Sequence, residues 1–149
     1  MNYNLNHFVN AHSQYYKEAL IQIKNGKKKT HWIWYIFPQI KGLGDSEISK
    51  RYSIIDREEA KAFYNHPILG KHLKEVFSEL LKYKNKKSIM EIMGNFLDAL
   101  KVKSSATLFY VATLDPLFKE VIDTFFFNSF DFETIRLLKN NIKSYSALK

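Results

Sequence analysis

The chain has 149 residues, of which 46% are hydrophobic and 15% aromatic, enough apolar material for the core of one domain. The absence of cysteine excludes disulfide scaffolds, thiol catalysis and Cys-ligated metal sites. No apolar run reaches the roughly 18–20 residues of a membrane span, and the N-terminal residues lack the basic and apolar regions of a secretory signal. We therefore expect a cytoplasmic protein with a single domain over residues 1–149.

In the N-terminal half, residues 4–26 predict one amphipathic helix, with Gly26 as its C-terminal stop. The next segment, HWIWYIF at 31–37, has the composition of a strand, but its length does not decide between strand and helix. Residues 39–46 predict a glycine-containing loop. A capping pair of Asp and Glu then predicts a short helix over 56–64.

In the C-terminal half, helices are predicted over 66–81, 96–114 and 115–126, with a capped turn at 88–94 and a last helix after Asp131. The expected buried stripe of 96–114 consists of Leu97, Leu100, Ser104, Leu108 and Val111. The last helix is expected to direct inward Ile135, Leu138 and Ile142. One segment alone has strand character, and a lone strand cannot make a sheet. The sequence therefore predicts an all-α fold, a compact bundle of about six or seven helices.

The positive charge is mostly lysine: 20 Lys and three Arg against 15 acidic residues give a formal net charge of +8. Local clusters lie at 27–29 and 82–87. They could form a polyanion-binding surface, or they could be solvated charge on loops between helices. The Arg guanidinium group binds phosphates and base edges with paired hydrogen bonds, which the Lys ammonium group does not. The scarcity of Arg therefore favours the second interpretation. Any nucleic-acid binding through these clusters should be weak and should fall steeply with salt.

The segment 31–46 carries the most specific pattern in the chain, HWIWYIFPQ followed by GLGDS. It resembles the signature of the DUF1810 family, HWxWxxFPQxxGLGxS. Further matches follow in order: Tyr52, a helix containing Ala60, the HPxLG motif at 66–70, and a segment with Gly94, Asp98, Lys101, Ser105, Thr107, Leu108 and Phe109. The resemblance extends from Phe8 to about Leu138. One departure is His12, where the family pattern leads us to expect Gln, so His12 is a poor candidate for a shared role.

The resemblance implies an all-α fold and a family whose activity is unknown. Some members carry the label calpastatin, which is a disordered inhibitor with little aromatic content. This aromatic-rich chain does not have that composition.

Three residues are candidate catalytic groups: His31, Asp98 and Ser105. His31 could act as a general base or contact a phosphate, since an imidazole titrates near neutrality, or it could be a structural hydrogen-bonding group. Asp98 and Ser105 fall on one face of the predicted helix 96–114. An Asp98–Lys101 pair at this spacing is ordinarily a surface ion pair. No metal-binding motif occurs, so we expect no metal and no cofactor.

The candidate ligand-binding residues surround these groups: Trp32, Trp34, Gln39, Gly42, Gly44, Ser46, Tyr52, Lys101 and Thr107. The two tryptophans could stack on a ring or belong to the core, and the glycine loop could present N–H groups to an anion or form a plain turn. Ser46 could bind a ligand or cap a helix, and Thr107 could line a pocket or allow close helix packing. We expect the aromatic segment and the helix after residue 96 to enclose a pocket lined by His31, Trp34, Gln39, Ser46 and some of Asp98, Ser105 and Thr107.

These candidates favour a binding module or a small enzyme for a nucleotide-like ligand, for example one with an ADP-ribosyl or N-glycosidic linkage. That example is an analogy of size and composition and has no motif behind it. The alternatives are a non-enzymatic polyanion-binding protein and a protein-interaction module. A convergent polar pocket would favour the first, a flat basic face the second and an exposed apolar patch the third. The oligomeric state and the ligand itself are open.

Overall fold

The structure is a computed structural model that describes residues 3–147, with side chains described for 3–140. This part of the chain is all-helical and contains nine helices. They are α1 (Asn6–Lys24), α2 (Ile33–Ile36), α3 (Glu47–Arg51), α4 (Arg57–Asn65), α5 (Leu69–Leu81), α6 (Ile89–Met93), α7 (Phe96–Thr113), α8 (Pro116–Phe125) and α9 (Phe132–Ala147). The expected class is confirmed, but six or seven helices was too few because α2, α3 and α6 have only four or five residues each.

The helix ends follow the local rules of capping. Ser88 and Glu91 form a reciprocal capping box at α6, and Asp115 accepts a hydrogen bond from the N–H of Leu117 beside the proline that starts α8. Asp131 accepts from the N–H of Thr134 at the start of α9. Gly26 has a φ of +74°, as a C-terminal stop requires. These boundaries were predictable because each depends on residues within one turn of the end.

Residues 33–36 are helical, which resolves the ambiguity that their composition left. The N–H of Ile36 donates to the carbonyl oxygen of Trp32, and the N–H of Phe37 donates to that of Ile33. The described residues form no strand, and their β-type pairing is limited to an isolated bridge between Ile40 and Ile54. Without a neighbouring strand, helical hydrogen bonds within the segment satisfy these backbone groups, and the carbonyl oxygen of Tyr35 accepts from His12 Nε2 at 2.8 Å.

Helix α7 is the centre of the bundle and packs against α4, α6, α8 and α9. It is therefore buried on several sides from Ser104 to Phe109 and does not carry one apolar stripe. The expected stripe is wrong at its start, because Leu97 and Leu100 are 68% and 39% exposed. On the last helix Leu138 is buried as expected, whereas the side chain of Ile142 lies outside the described residues.

The core is rich in aromatic edge-to-face contacts. Phe77 lies 5.0 Å from Phe37 and 5.2 Å from Phe118 between ring centroids, and Phe8 lies 5.1 Å from Phe63. In the described part of the chain, no helix is both long enough and apolar enough to cross a membrane.

Candidate functional site

A cleft of about 240 Å³ lies where the aromatic segment 31–35 meets the start of α7. Lys28 and Ile48 complete its walls beside residues of that segment. The full lining is Lys28, His31, Trp32, Ile33, Trp34, Tyr35, Ser46, Ile48, Asp98 and Lys101. The structure thus brings together six of the residues that we singled out from the sequence, although their functional roles remain predictions.

Two lysines share one carboxylate in this cleft. Lys28 Nζ lies 3.0 Å from Asp98 Oδ2, and Lys101 Nζ lies 3.2 Å from Asp98 Oδ1. The side chain of Lys28 is 7% exposed and that of Lys101 is 29% exposed. Burial by itself would raise the pKa of Asp98, but hydrogen bonds and charge from the two lysines outweigh it and hold the pKa below its ordinary value. Asp98 is therefore an anion at neutral pH, and the triad carries a net positive charge.

Each of these lysines also lies over a tryptophan. Lys28 Nζ is 5.2 Å from the Trp32 ring centroid, and Lys101 Nζ is 5.1 Å from that of Trp34. Both distances are within the range of cation–π attraction. The triad therefore fastens the start of α7 to the aromatic segment. The ion pair expected at the protein surface is instead part of a mostly buried arrangement.

Lys28 was missed as a site residue. We expected the cluster 27–29 to be solvated loop charge, and that is wrong for its middle member. The N–H of Lys28 donates to the carbonyl oxygen of Ile92 at 2.7 Å, which turns the side chain toward Asp98. Nothing in the run of three lysines distinguishes this position, because the partner is 70 residues away in the sequence.

Gln22 is a second residue that sequence reasoning missed. Its Oε1 accepts from the Trp32 indole N–H at 2.8 Å and from the backbone N–H groups of Lys29 and Thr30 at 2.7 and 3.2 Å. One buried amide on α1 thus fixes both the lysine turn and the first tryptophan. A polar residue inside an amphipathic helix gave no signal of this role.

The two tryptophans lie in different surroundings. Trp32 is 1% exposed and belongs to the core, whereas Trp34 is half-buried and offers its ring to the cleft. His31 is exposed, and within the described residues its imidazole makes no hydrogen bond or ring contact. The alternative of a hydrogen-bonded structural histidine at this position therefore has no partner to support it.

Ser46 and the glycines shape the loop beside Trp34. Ser46 caps α3 by accepting from the N–H of Ser49 at 3.1 Å, so the capping interpretation holds for it while it also lines the cleft. A Cβ on Gly44 would lie 2.7 Å from Ser49 Cβ and 3.0 Å from Trp34 Cη2, so only glycine lets the loop pack this closely. Gly42 has a φ of +108° beside Leu137 and supports the interpretation of a turn.

Six candidates do not line the cleft: Gly42 and Gly44 of the loop, and four others. Thr107 is buried, donates to the carbonyl oxygen of Lys103 and accepts from the N–H of Asp131. These contacts match the interpretation of Thr107 as a residue that allows close helix packing. Tyr52 packs against the rings of Phe8 and Tyr35. The remaining two, Gln39 and Ser105, are buried with Nε2 and Oγ respectively unpaired. The expectation that Gln39 would line the pocket is therefore wrong, because its side chain is buried outside the cleft, and of Asp98, Ser105 and Thr107 the cleft includes Asp98.

The sequence profile of the family described as "Protein of unknown function (DUF1810)" matches residues 2–138. The chain belongs to the DUF1810 family. The crystal structure of the conserved hypothetical protein Rv1873 from Mycobacterium tuberculosis is similar to this DUF1810 chain, with 36% sequence identity and a TM-score of 0.86. The similarity covers 91% of this chain and 96% of the other. No curated protein matches.

Proposed function

We propose that the cleft beside Trp34 binds a nucleotide-like ligand. The observation that carries the proposal is the sharing of one carboxylate by two ammonium groups that each lie over a tryptophan. A site with this composition has an uncompensated positive charge for a phosphate and an aromatic wall for a ring.

The two lysines differ in exposure, and this difference supports separate roles for them. The Lys28 side chain is nearly buried, so its ammonium group balances the charge of Asp98 and holds the segment in place. Lys101 is more exposed and would meet the anionic group of the ligand, with His31 beside it as a further donor. Trp34 would pack against the ring of the base or nicotinamide.

A ligand with an ADP-ribosyl or N-glycosidic linkage fits this description because it combines phosphate, sugar and a planar ring. If the site also performs chemistry, His31 is the group suited to proton transfer, since it is exposed at the cleft. Asp98 would then be a positioning residue that orients both lysines. Ser105 would have no direct part, because the bundle buries it away from the cleft lining.

The second candidate function is a protein-interaction module. The observation that favours it is the exposure of Phe96, Leu97 and Leu100 on the first turns of α7, at 61%, 68% and 39%. Apolar side chains grouped in this way can mark a protein-binding surface. A polyanion-binding role has less support, because the Lys28 side chain is only 7% exposed and Lys87 donates to the carbonyl oxygen of Gly26 at 3.0 Å.

The proposal is tested by calorimetric titration of the chain with ADP-ribose and, separately, with adenosine monophosphate. Replacing Lys101 by Gln should weaken binding at least tenfold, about the value of one charge-assisted hydrogen bond. The matched control is Lys103→Gln, a half-buried lysine on the same helix with the same change of charge. Absence of binding by the wild type at millimolar ligand, or equal weakening in the two variants, would contradict the proposal.

A further inference from the structure

The motif HPILG at 66–70 is not used by the cleft at Trp34, yet it builds a second concave site. A cleft of about 390 Å³ lies at the junction of α4 and α5, and its lining is Tyr64, Asn65, His66, Pro67, Lys71 and Lys74. We propose that this cleft binds the phosphate group of a small phosphate monoester.

The glycine of the motif brings the two walls together. A Cβ on Gly70 would lie 1.9 Å from the carbonyl oxygen of Tyr64, a distance that no side chain can accept. The start of α5 is therefore pressed against the end of α4. Tyr64 on the last turn of α4 consequently faces Lys74 on α5, with the ammonium 4.3 Å from the ring centroid.

The histidine is held in one tautomer. His66 Nδ1 accepts from the backbone N–H groups of Ile68 and Leu69 at 3.1 and 3.2 Å, so this nitrogen cannot carry the proton in the neutral ring. The proton is on Nε2, and this N–H is the donor that His66 can offer to a ligand. The amide of Asn65 adds a further donor to the same lining.

The charge of the cleft is unbalanced. No carboxylate lines it, and within the described residues neither Lys71 nor Lys74 forms an ion pair. The nearest acid in the hydrogen-bond network, Asp115, is occupied by Tyr64 Oη at 2.6 Å and by the N–H of Leu117. The hydrogen bond to Asp115 raises the pKa of Tyr64 to about 12, so the phenol stays neutral. Two ammonium groups and two neutral donors match a dianionic phosphate monoester better than a singly charged diester.

The experiment is a titration of the ¹⁵N-labelled chain with glycerol 3-phosphate at constant ionic strength, followed by amide shifts of residues 64–74. The wild type should show saturable shifts there, and Lys71→Gln/Lys74→Gln should weaken binding at least tenfold. The control Lys84→Gln/Lys86→Gln removes the same charge from two exposed lysines elsewhere and should leave binding within twofold. His66→Asn keeps a side-chain acceptor for the α5 N–H groups and removes the Nε2 donor, so it should weaken binding severalfold without unfolding the chain.

The proposal is overturned if the amides of 64–74 do not shift, or if the two double variants lose binding equally, which would indicate general charge attraction. Equal binding of dimethyl phosphate would overturn the assignment to a monoester. The Trp34 indole resonance reports the other cleft in the same spectra, so either site can fail independently of the other.

Discussion

Trp32 and Trp34 are two residues apart, yet they belong to two different regions of the molecule. The side of the segment that carries Trp32 is fastened by the Gln22 amide and covered by the core. The side that carries Trp34 borders a cleft, beside an exposed histidine without a hydrogen-bond partner in the described residues. The comparison teaches that one short segment separates a face packed into the core from a face that borders the cleft.

The largest effect is expected from truncating the buried tryptophan. Trp32→Ala should lower the free energy of unfolding by roughly 3–5 kcal/mol, through lost burial and the loss of the indole hydrogen bond to Gln22 Oε1. Trp34→Ala should cost about 1 kcal/mol because its ring is already half in water. Urea denaturation followed by circular dichroism measures both. Similar losses for the two variants would break the distinction between the faces.

The second-largest effect on stability is expected from the triad of Lys28, Asp98 and Lys101, which joins the two faces. Asp98→Asn leaves the nearly buried Lys28 without a counter-charge and should cost roughly 2–4 kcal/mol. Lys101→Gln should cost less than 1 kcal/mol, because Lys101 is more exposed and Lys28 still balances Asp98. The same denaturation measurements apply. If the two variants are equally stable, Asp98 does not fasten α7 to the segment.

The dependence of the wild type's stability on acid pH should come largely from His12. His12 Nε2 donates to the carbonyl oxygen of Tyr35 at 2.8 Å, and burial lowers the pKa of His12 to about 4. The unfolded chain binds the proton near pH 6.5, so stability is present above that pH and is lost as the pH falls toward 4. The loss should be roughly 2–3 kcal/mol.

The variant His12→Gln tests the cause of this loss. An amide N–H can replace the Nε2 donor to Tyr35, and it does not titrate. His7, whose pKa burial also lowers, remains as an internal control, whereas His72 does not, because its Nδ1 lies 2.9 Å from His12 Nδ1. Thermal melts between pH 4 and 7 should show a flatter dependence for the variant. An unchanged dependence would assign the acid sensitivity to groups other than His12.

The smallest effect is expected at the cleft face. His31→Ala should change stability by less than about 0.5 kcal/mol, since the exposed imidazole leaves no partner unpaired. Its melting temperature should match that of the wild type, while its affinity for ADP-ribose in the calorimetric titration falls. A drop of several degrees would show that His31 belongs to the structural face, and it would remove His31 as a functional candidate.

The sequence by itself determined the helical class, most helix ends and the residues around which the cleft forms. These features follow from local signals, such as the Ser88 cap, the proline after Asp115 and the compact aromatic motif with its glycine loop. Only the tertiary structure decided that Lys28 is buried against Asp98, that Gln22 holds Trp32, and that Gln39, Ser105 and Thr107 lie under the bundle surface. The physical reason is that burial and ion pairing depend on which helices meet. The spacing of apolar residues identifies the face of a helix that is buried, but it does not identify the element that packs against that face. Helix α7 shows this most clearly, because a helix packed on several sides has no single stripe that its sequence could reveal.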